Sequence, residues 1–152
     1  MIWHHRLIYR FLVYYWRVFR PIVLGSRVLV IDQNRVLLVK MTYRKNWYLP
    51  GGGVGRRESF LDAARRELRE ECGLIADRLD LFGLYTSLQH GKTDHLAVYV
   101  AKNISMDSTH KQSREISETG WFAFDQLPKD VSPATRRRIE EYQLVRSRTN
   151  EW

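Results

Sequence analysis

Glu67, Glu70 and Glu71 stand at positions i, i+3 and i+4 of the run FLDAARRELREEC, which is rich in helix-forming residues. On a helix that spacing projects three carboxylates from one face within a single turn. Like charges so close destabilise a bare helix, and a hard divalent cation that takes carboxylate oxygens as ligands removes the repulsion. Mg²⁺ (or Mn²⁺) suits such a site, because its octahedron is completed by water and by phosphate oxygens of a substrate. Arg66 adjoins the cluster, and its planar fork can hold a carboxylate in one orientation. Glu58, at the start of the same helix, can accept from Arg66 and favours the positive end of the helix dipole. Both residues read as supports for the metal ligands. Gly51, Gly52 and Gly53 let the backbone approach a metal or a phosphate closely, and a main-chain carbonyl there can be a further ligand. Charge runs on helices commonly form a solvated face laced by ion pairs. That alternative leaves Gly52, Glu58 and Gly73 at their fixed distances from the glutamates without a reason.

The elements that must position these residues can be read around them. Ser59 is a helix cap, with Asp62 three residues on as an imperfect capping box, and Gly73 is suited to end the helix in a left-handed conformation. The spacing therefore predicts one helix over 60–72. Upstream, RVLVID and RVLLVKMTY are β-branched runs on either side of Gln33-Asn34 and should pair as a hairpin. A short strand at Trp47-Tyr48 leads into the glycines. Downstream, LFGLYTSLQ, HLAVYVAKN and GWFAF read as strands, and Ser132-Pro133 opens a last helix over about 133–146. Residues 103–113 are the expected mobile loop.

The spacing itself resembles a known signature. Gly52, five residues, Glu58, seven residues, then Arg66-Glu67-Leu68, Arg69, Glu70-Glu71, Cys72, Gly73 and Leu74 resembles the Nudix box with every fixed position filled. The segment over about 27–127 is similar to a whole Nudix domain. The resemblance implies an α/β (α+β) fold, an α/β/α sandwich around a mixed β-sheet, here with an extra N-terminal amphipathic helix. It implies metal ligands at Glu67, Glu70, Glu71 and the Gly51 carbonyl, with Arg66 and Glu58 holding them in place. Family substrates are nucleoside diphosphates linked to another moiety, and water attacks one phosphorus of the diphosphate. The metal would neutralise phosphoryl charge, orient the substrate and lower the pKa of bound water. The base would be Glu67 or Glu71, or a glutamate outside the box, for which Glu115 and Glu118 lie in the right part of the chain. The alternative is a silent Nudix fold that binds a nucleotide or nucleic acid for regulation. The sequence departs from the common pattern at Val54-Gly55-Arg56-Arg57, where many members carry an acid and then Pro-Gly. Arg56 and Arg57 either touch substrate phosphate or face water.

At 152 residues, 44% hydrophobic and 28% charged, the chain matches one globular domain over 22–152 preceded by a separate segment over 1–21. The lone cysteine, Cys72, has no internal disulfide partner and reads as a packed side chain in a reducing, cytoplasmic protein. The net charge of +8 is uneven, since residues 1–57 hold 11 basic side chains and only Asp32 as an acid. Such a front focuses polyanions, whether a nucleotide, nucleic acid or an anionic bilayer, and names no specific nucleic-acid partner. The first segment, MIWHHRLIYRFLVYYWRVFR, places Arg6, Arg10, Arg17 and Arg20 on one stripe of an aromatic helix. It can cover the sheet, form a homodimer interface, lie peripherally on a membrane surface, or serve as a mitochondrial presequence. It is too short in apolar run to span a bilayer. His90 and His95 flank a Gly-Lys turn and are candidates for a base or a ligand, or are plain surface residues. Tyr43, Trp47, Tyr85 and Phe122 can stack a nucleobase or fill the core.

Overall fold

The computed structural model describes residues 22–88, 92–111 and 113–152. The helix expected over 1–21, with its arginine stripe and its proposed membrane or dimer role, lies outside the described residues, as does His90. Strand β1 (Ile22–Asp32) is followed by β2 (Arg35–Met41), β3 (Trp47–Tyr48), helix α1 (Phe60–Cys72), β4 (Leu74–Ser87), β5 (Thr93–Met106) and β6 (Ile116–Ala123). A 3-10 turn (Phe124–Gln126) then leads to helix α2 (Pro133–Tyr142).

The sheet is mixed. β1 runs parallel to β5 from Ile22↔Thr93 to Val30↔Ala101, and β5 pairs antiparallel with β4. On the other side β2 pairs along its length with β6, so its second edge takes β1 at Ile31↔Val36 and β3 at Val39↔Tyr48. The expected β1–β2 hairpin exists with its turn at Gln33, which adopts φ 54°. It is only two residue pairs long, because the first half of β1 offers that edge to the glycine loop instead.

Period-2 alternation sorts the core into two layers. Val28, Val30, Ala97, Tyr99 and Ala101 pack on Ala64 and Leu68 of α1. Leu29, Val36, Leu38 and Val98 face the opposite way, toward Ile139 of α2 and the aromatics Trp47, Phe82 and Tyr85. Helices on both faces of a mixed sheet make the α/β/α sandwich. No helix among the described residues is long and apolar enough to cross a membrane.

Four boundaries differ from expectation. β1 starts at Ile22 rather than Arg27, and β4 starts at Leu74 rather than Leu81, because backbone pairing with β5 carries both strands through polar interruptions such as Ser26 and Asp77-Arg78. Asp80 and Arg78 are the clearest case: they form an exposed charge cluster with Lys102 on the partner strand. β5 continues to Met106, so the loop expected over 103–113 is pushed later in the chain. Helix α2 stops at Tyr142, and Leu144 at φ 61° turns the chain back toward the sheet.

Candidate active site

Helix α1 and the glycine loop are tied to β1 by backbone geometry. Ser59 caps the helix by accepting from the Asp62 N–H at 3.1 Å, and Gly73 ends it at φ 64°. Buried Ser26 donates its hydroxyl to the Phe60 carbonyl at 2.9 Å and its N–H to the Gly52 carbonyl at 2.9 Å. Val28 and Val54 N–H groups reach the Pro50 and Leu24 carbonyls at 2.9 Å, so the loop runs along the β1 edge like a short extra strand. Gly51 has φ 135°, and a Cβ there would collide with the backbone of Ser26 and Arg27. At Gly52 a Cβ would occupy the place of the Glu67 carboxylate. These two positions require glycine for different reasons, one for the backbone and one for the room that a functional side chain uses.

Arg66 is the hub of the helix face. Its Nε donates to Glu58 Oε1 at 2.8 Å, Nη1 to Glu67 Oε1 at 2.7 Å and Glu70 Oε2 at 3.2 Å, and Nη2 to Glu58 Oε2 at 3.1 Å and the Gly53 carbonyl at 3.0 Å. One guanidinium thus fixes three carboxylates and the glycine loop. The bonds from Arg66, helped by the Gly55 N–H, hold the Glu58 carboxyl down at about 2. Arg66 in turn is held above its ordinary value by Glu58 and Glu67. Among the described residues no three His, Cys, Asp or Glu side chains are grouped as they stand to hold a metal ion. The carboxylates instead spend their oxygens on Arg66 and, for Glu71, on the Gly51 N–H at 2.7 Å.

Glu71 is 7% exposed, and burial pushes its carboxyl up to about 7, with the Glu67 charge adding to the effect. The Gly51 N–H and Arg27 act against that rise. Arg27, half-buried on β1, bonds the Ser26 carbonyl at 2.9 Å and lies within electrostatic reach of Glu71, Glu67 and Arg44. Burial lowers its pKa, while the two glutamates restore part of it. Arg27 and Arg44 line a cleft of about 280 Å³ with Gly52, Gly53, Leu24 and Trp152. Arg27 thus links the cleft electrostatically to Glu67 and Glu71 of the acidic helix.

The residues singled out from sequence fall into three groups. Arg66, Glu58, Glu67, Glu70, Glu71 and Gly51 are brought together around one helix face. Glu115 acts electrostatically on Glu71, whereas Glu118 pairs across the sheet with Lys40 at 4.0 Å. Arg56 and Arg57 are exposed in the loop before α1, outside the lining of the arginine cleft. His95 is exposed and bonded to Thr86 at 3.1 Å. Trp47 and Phe122 pack edge to face at 4.9 Å, and buried Tyr85 donates to Glu141 at 3.0 Å, so these aromatics fill the core. Tyr43 is exposed beside Arg44, 6.0 Å from its guanidinium. Burial raises the Cys72 thiol above its ordinary value, which fits a packed side chain. Sequence reasoning missed Ser26, Arg27 and Arg44. The one signal in the sequence was Arg27, a cation at the head of an otherwise apolar strand.

Comparison with known proteins agrees with this fold. The family model of the NUDIX domain matches residues 22–142. A Bacillus subtilis (strain 168) protein named as a candidate 8-oxo-dGTP diphosphatase is 29% identical over 119 residues, covering 78% of each chain. The ADP-ribose pyrophosphatase of Methanocaldococcus jannaschii is 31% identical over 107 residues, 66% of this chain and 62% of that protein. The crystal structure of the MutT Nudix hydrolase from Burkholderia pseudomallei superposes with a TM-score of 0.67 at 28% identity, covering 79% of this chain and 97% of that one. With its fold, its filled box and a family match across most of its length, the chain belongs to the Nudix hydrolase family.

Proposed function

We propose that the protein is a divalent-metal-dependent hydrolase that cleaves the phosphoanhydride bond of a nucleoside diphosphate linked to another moiety. The observation that carries this reading is the buried Glu71 carboxylate, fixed by Gly51 beside Glu67 and within electrostatic reach of Arg27, which lines the cleft. Burying a carboxylate next to another is costly unless positive charge compensates it. The donor set fits a hard cation, since it consists of oxygens only, with the carboxylates of Glu67, Glu70 and Glu71 as the groups that would hold Mg²⁺ or Mn²⁺ and the Gly51 carbonyl as a further donor. When bound, such an ion polarises the phosphoryl oxygens and acidifies a water molecule.

The chain's own residues supply the remainder. Arg27 and Arg44 offer guanidinium donors to phosphate oxygens, a match of planar fork to oxyanion. Arg66 and Glu58 keep Glu67 and Glu70 in register with the loop. Glu115, which reaches the Glu71 charge from a different element, is the candidate outside the box to receive the proton of the attacking water.

The relatives' names differ in substrate, one an 8-oxo-dGTP diphosphatase and another an ADP-ribose pyrophosphatase. A panel of such diphosphates with Mg²⁺ and with Mn²⁺ therefore comes first, scored by release of nucleoside monophosphate. Glu70→Gln keeps shape and removes charge, and turnover should fall roughly a hundredfold, as for loss of one preorganised electrostatic group. Equal turnover in both proteins would remove the helix from the chemistry. Tight nucleotide binding with no turnover by the wild type would make the protein a binding module.

A further inference from the structure

The chain after α2 folds back onto the sheet and ends in the arginine cleft. Thr149 donates its N–H and hydroxyl to Glu141 Oε1 at 3.2 and 3.3 Å, and Arg138 Nη1 donates to the Glu151 carbonyl at 2.7 Å. The tail then joins the edge of β4 left free by β5. Thr86 donates its N–H to the Asn150 carbonyl at 2.7 Å and accepts from the Trp152 N–H at 2.9 Å. These bonds flank Glu151 in a parallel bridge to Thr86 and anchor the Trp152 N–H. Its indole is held edge-on to Tyr85, with ring centroids 6.0 Å apart, and lies 5.6 Å from the Arg138 guanidinium. The ring stays half-exposed, and it lines the cleft that also contains Arg27, Arg44 and Leu24.

That cleft is amphiphilic. Arg27, Arg44 and Lys92 bring positive charge to its lining and Asp94 one carboxylate, while Leu24, Leu96 and Trp152 supply apolar surface. Its volume of about 280 Å³ lies near the lower end of small-molecule sites, room for one nucleoside phosphate rather than two nucleosides. A flat, rigid ring with few rotatable bonds, already immobilised by the tail, loses little entropy when a second flat ring stacks on it.

We propose that Trp152 is a specificity-determining residue, the platform on which the base of the nucleotide half stacks while Arg27 and Arg44 take its phosphates. The assignment of the phosphates rests on the activity proposed above. The base-bearing half of the diphosphate lies in the cleft, with the other moiety projecting out of it. Arg138 and Glu141 act through the tail and are positioning residues for the indole.

The test compares two probes, ADP and inorganic pyrophosphate, binding in Mg²⁺ to the wild type, Trp152→Ala and Trp152→Phe by titration calorimetry. Loss of the stacking partner should weaken ADP about tenfold to hundredfold and leave pyrophosphate within about twofold, while Trp152→Phe retains most of the ADP affinity. Equal weakening of both probes would make Trp152 a structural peg of the tail. Unchanged ADP affinity in Trp152→Ala, or a wild type that binds ADP no better than pyrophosphate, would overturn the proposal outright. If the binding pattern appears but no diphosphate is hydrolysed, the activity falls and the role of Trp152 stands. If diphosphates are hydrolysed while Trp152→Ala binds ADP as the wild type does, the activity stands and the role of Trp152 falls.

Discussion

Arg66 on α1 and Arg138 on α2 both sit among glutamates, yet the two neighbourhoods differ in solvent access. The Arg66 side chain is 36% exposed and its partner Glu70 57%, while Glu67 and Glu58 keep 14% and 17%. Arg138 and Glu141 are both 0% exposed, and their guanidinium and carboxylate meet at 2.8 Å under the rings of Tyr85 and Trp152. Burial lowers the pKa of Arg138 and Glu141 works against that shift, while its Nε has no hydrogen-bond partner. A sealed pair has nothing to exchange with, so it can only hold the tail to the helix. An open one can give up a carboxylate oxygen to another cation, because water and solute reach it. The same pair of residue types is thus a fastener on one helix and an exchangeable counter-charge on the other, and desolvation makes the difference.

Removing one half of the sealed pair should have the largest effect. Arg138→Met leaves Glu141 buried without a cation and should cost about 3–5 kcal/mol of stability, a fall in Tm on the order of 10 °C for a domain of this size. Adding Glu141→Leu removes the uncompensated charge and should recover part of the loss, the remainder reflecting the Tyr85 and Thr149 donors left without an acceptor. A single variant that melts with the wild type would show that water already reaches the pair. Arg66→Lys should behave in the opposite way. It should stay within about 1 kcal/mol of wild-type stability because the site is open, while hydrolysis falls about tenfold to hundredfold. An ammonium cannot meet Glu58, Glu67, Glu70 and the Gly53 carbonyl together as the fork does. If Arg66→Lys unfolds the protein and Arg138→Met does not, the comparison is reversed.

The next effect is smaller and isolates the cation. Mg²⁺ at about ten times its Kd should add about 1.4 kcal/mol to the unfolding free energy. The increment should vanish in Glu71→Gln and persist in Arg138→Met. Equal gains in all three proteins would place the ion elsewhere.

What could be read in advance follows the same division. The helix over 60–72 was legible because caps, apolar spacing and carboxylate spacing all fall within one local stretch, Ser59 to Gly73. The strand was legible as a β-branched apolar run, Val28-Leu29-Val30, but the division of these residues between two layers came only from the family resemblance. The arginine pair was not legible, since Arg27 comes within reach of Glu71 and Arg44 only after β1 has paired with the glycine loop, a contact between segments with no shared pattern. The tail was harder still. Arg138 lies in a run of arginines, and a surface reading of that run is what charge density alone supports. Its burial depends on Glu141 one turn later and on Thr149 folding back. Long-range pairing, not residue type, decided the outcome at each of these positions.

Asp107 supplies the mildest and last test, midway between the other two cases. Its carboxylate is bonded by Arg69 from α1 and by the hydroxyl and N–H of Thr109, which together hold it at about 2 against an ordinary 3.8. A depressed carboxyl stabilises the folded state above its unfolded pKa, and that contribution is lost as pH falls toward its folded pKa. The stability gap between wild type and Asp107→Asn should therefore be constant above about pH 4. It should close as pH falls from 3.8 to about 2. Urea midpoints at several acidic pH values would follow it. Arg69 is 58% exposed, so solvent screens the pair and the gap should be the smallest of the effects considered. Should it match the loss in Arg138→Met, exposure would not be what separates a fastening ion pair from an exchangeable one.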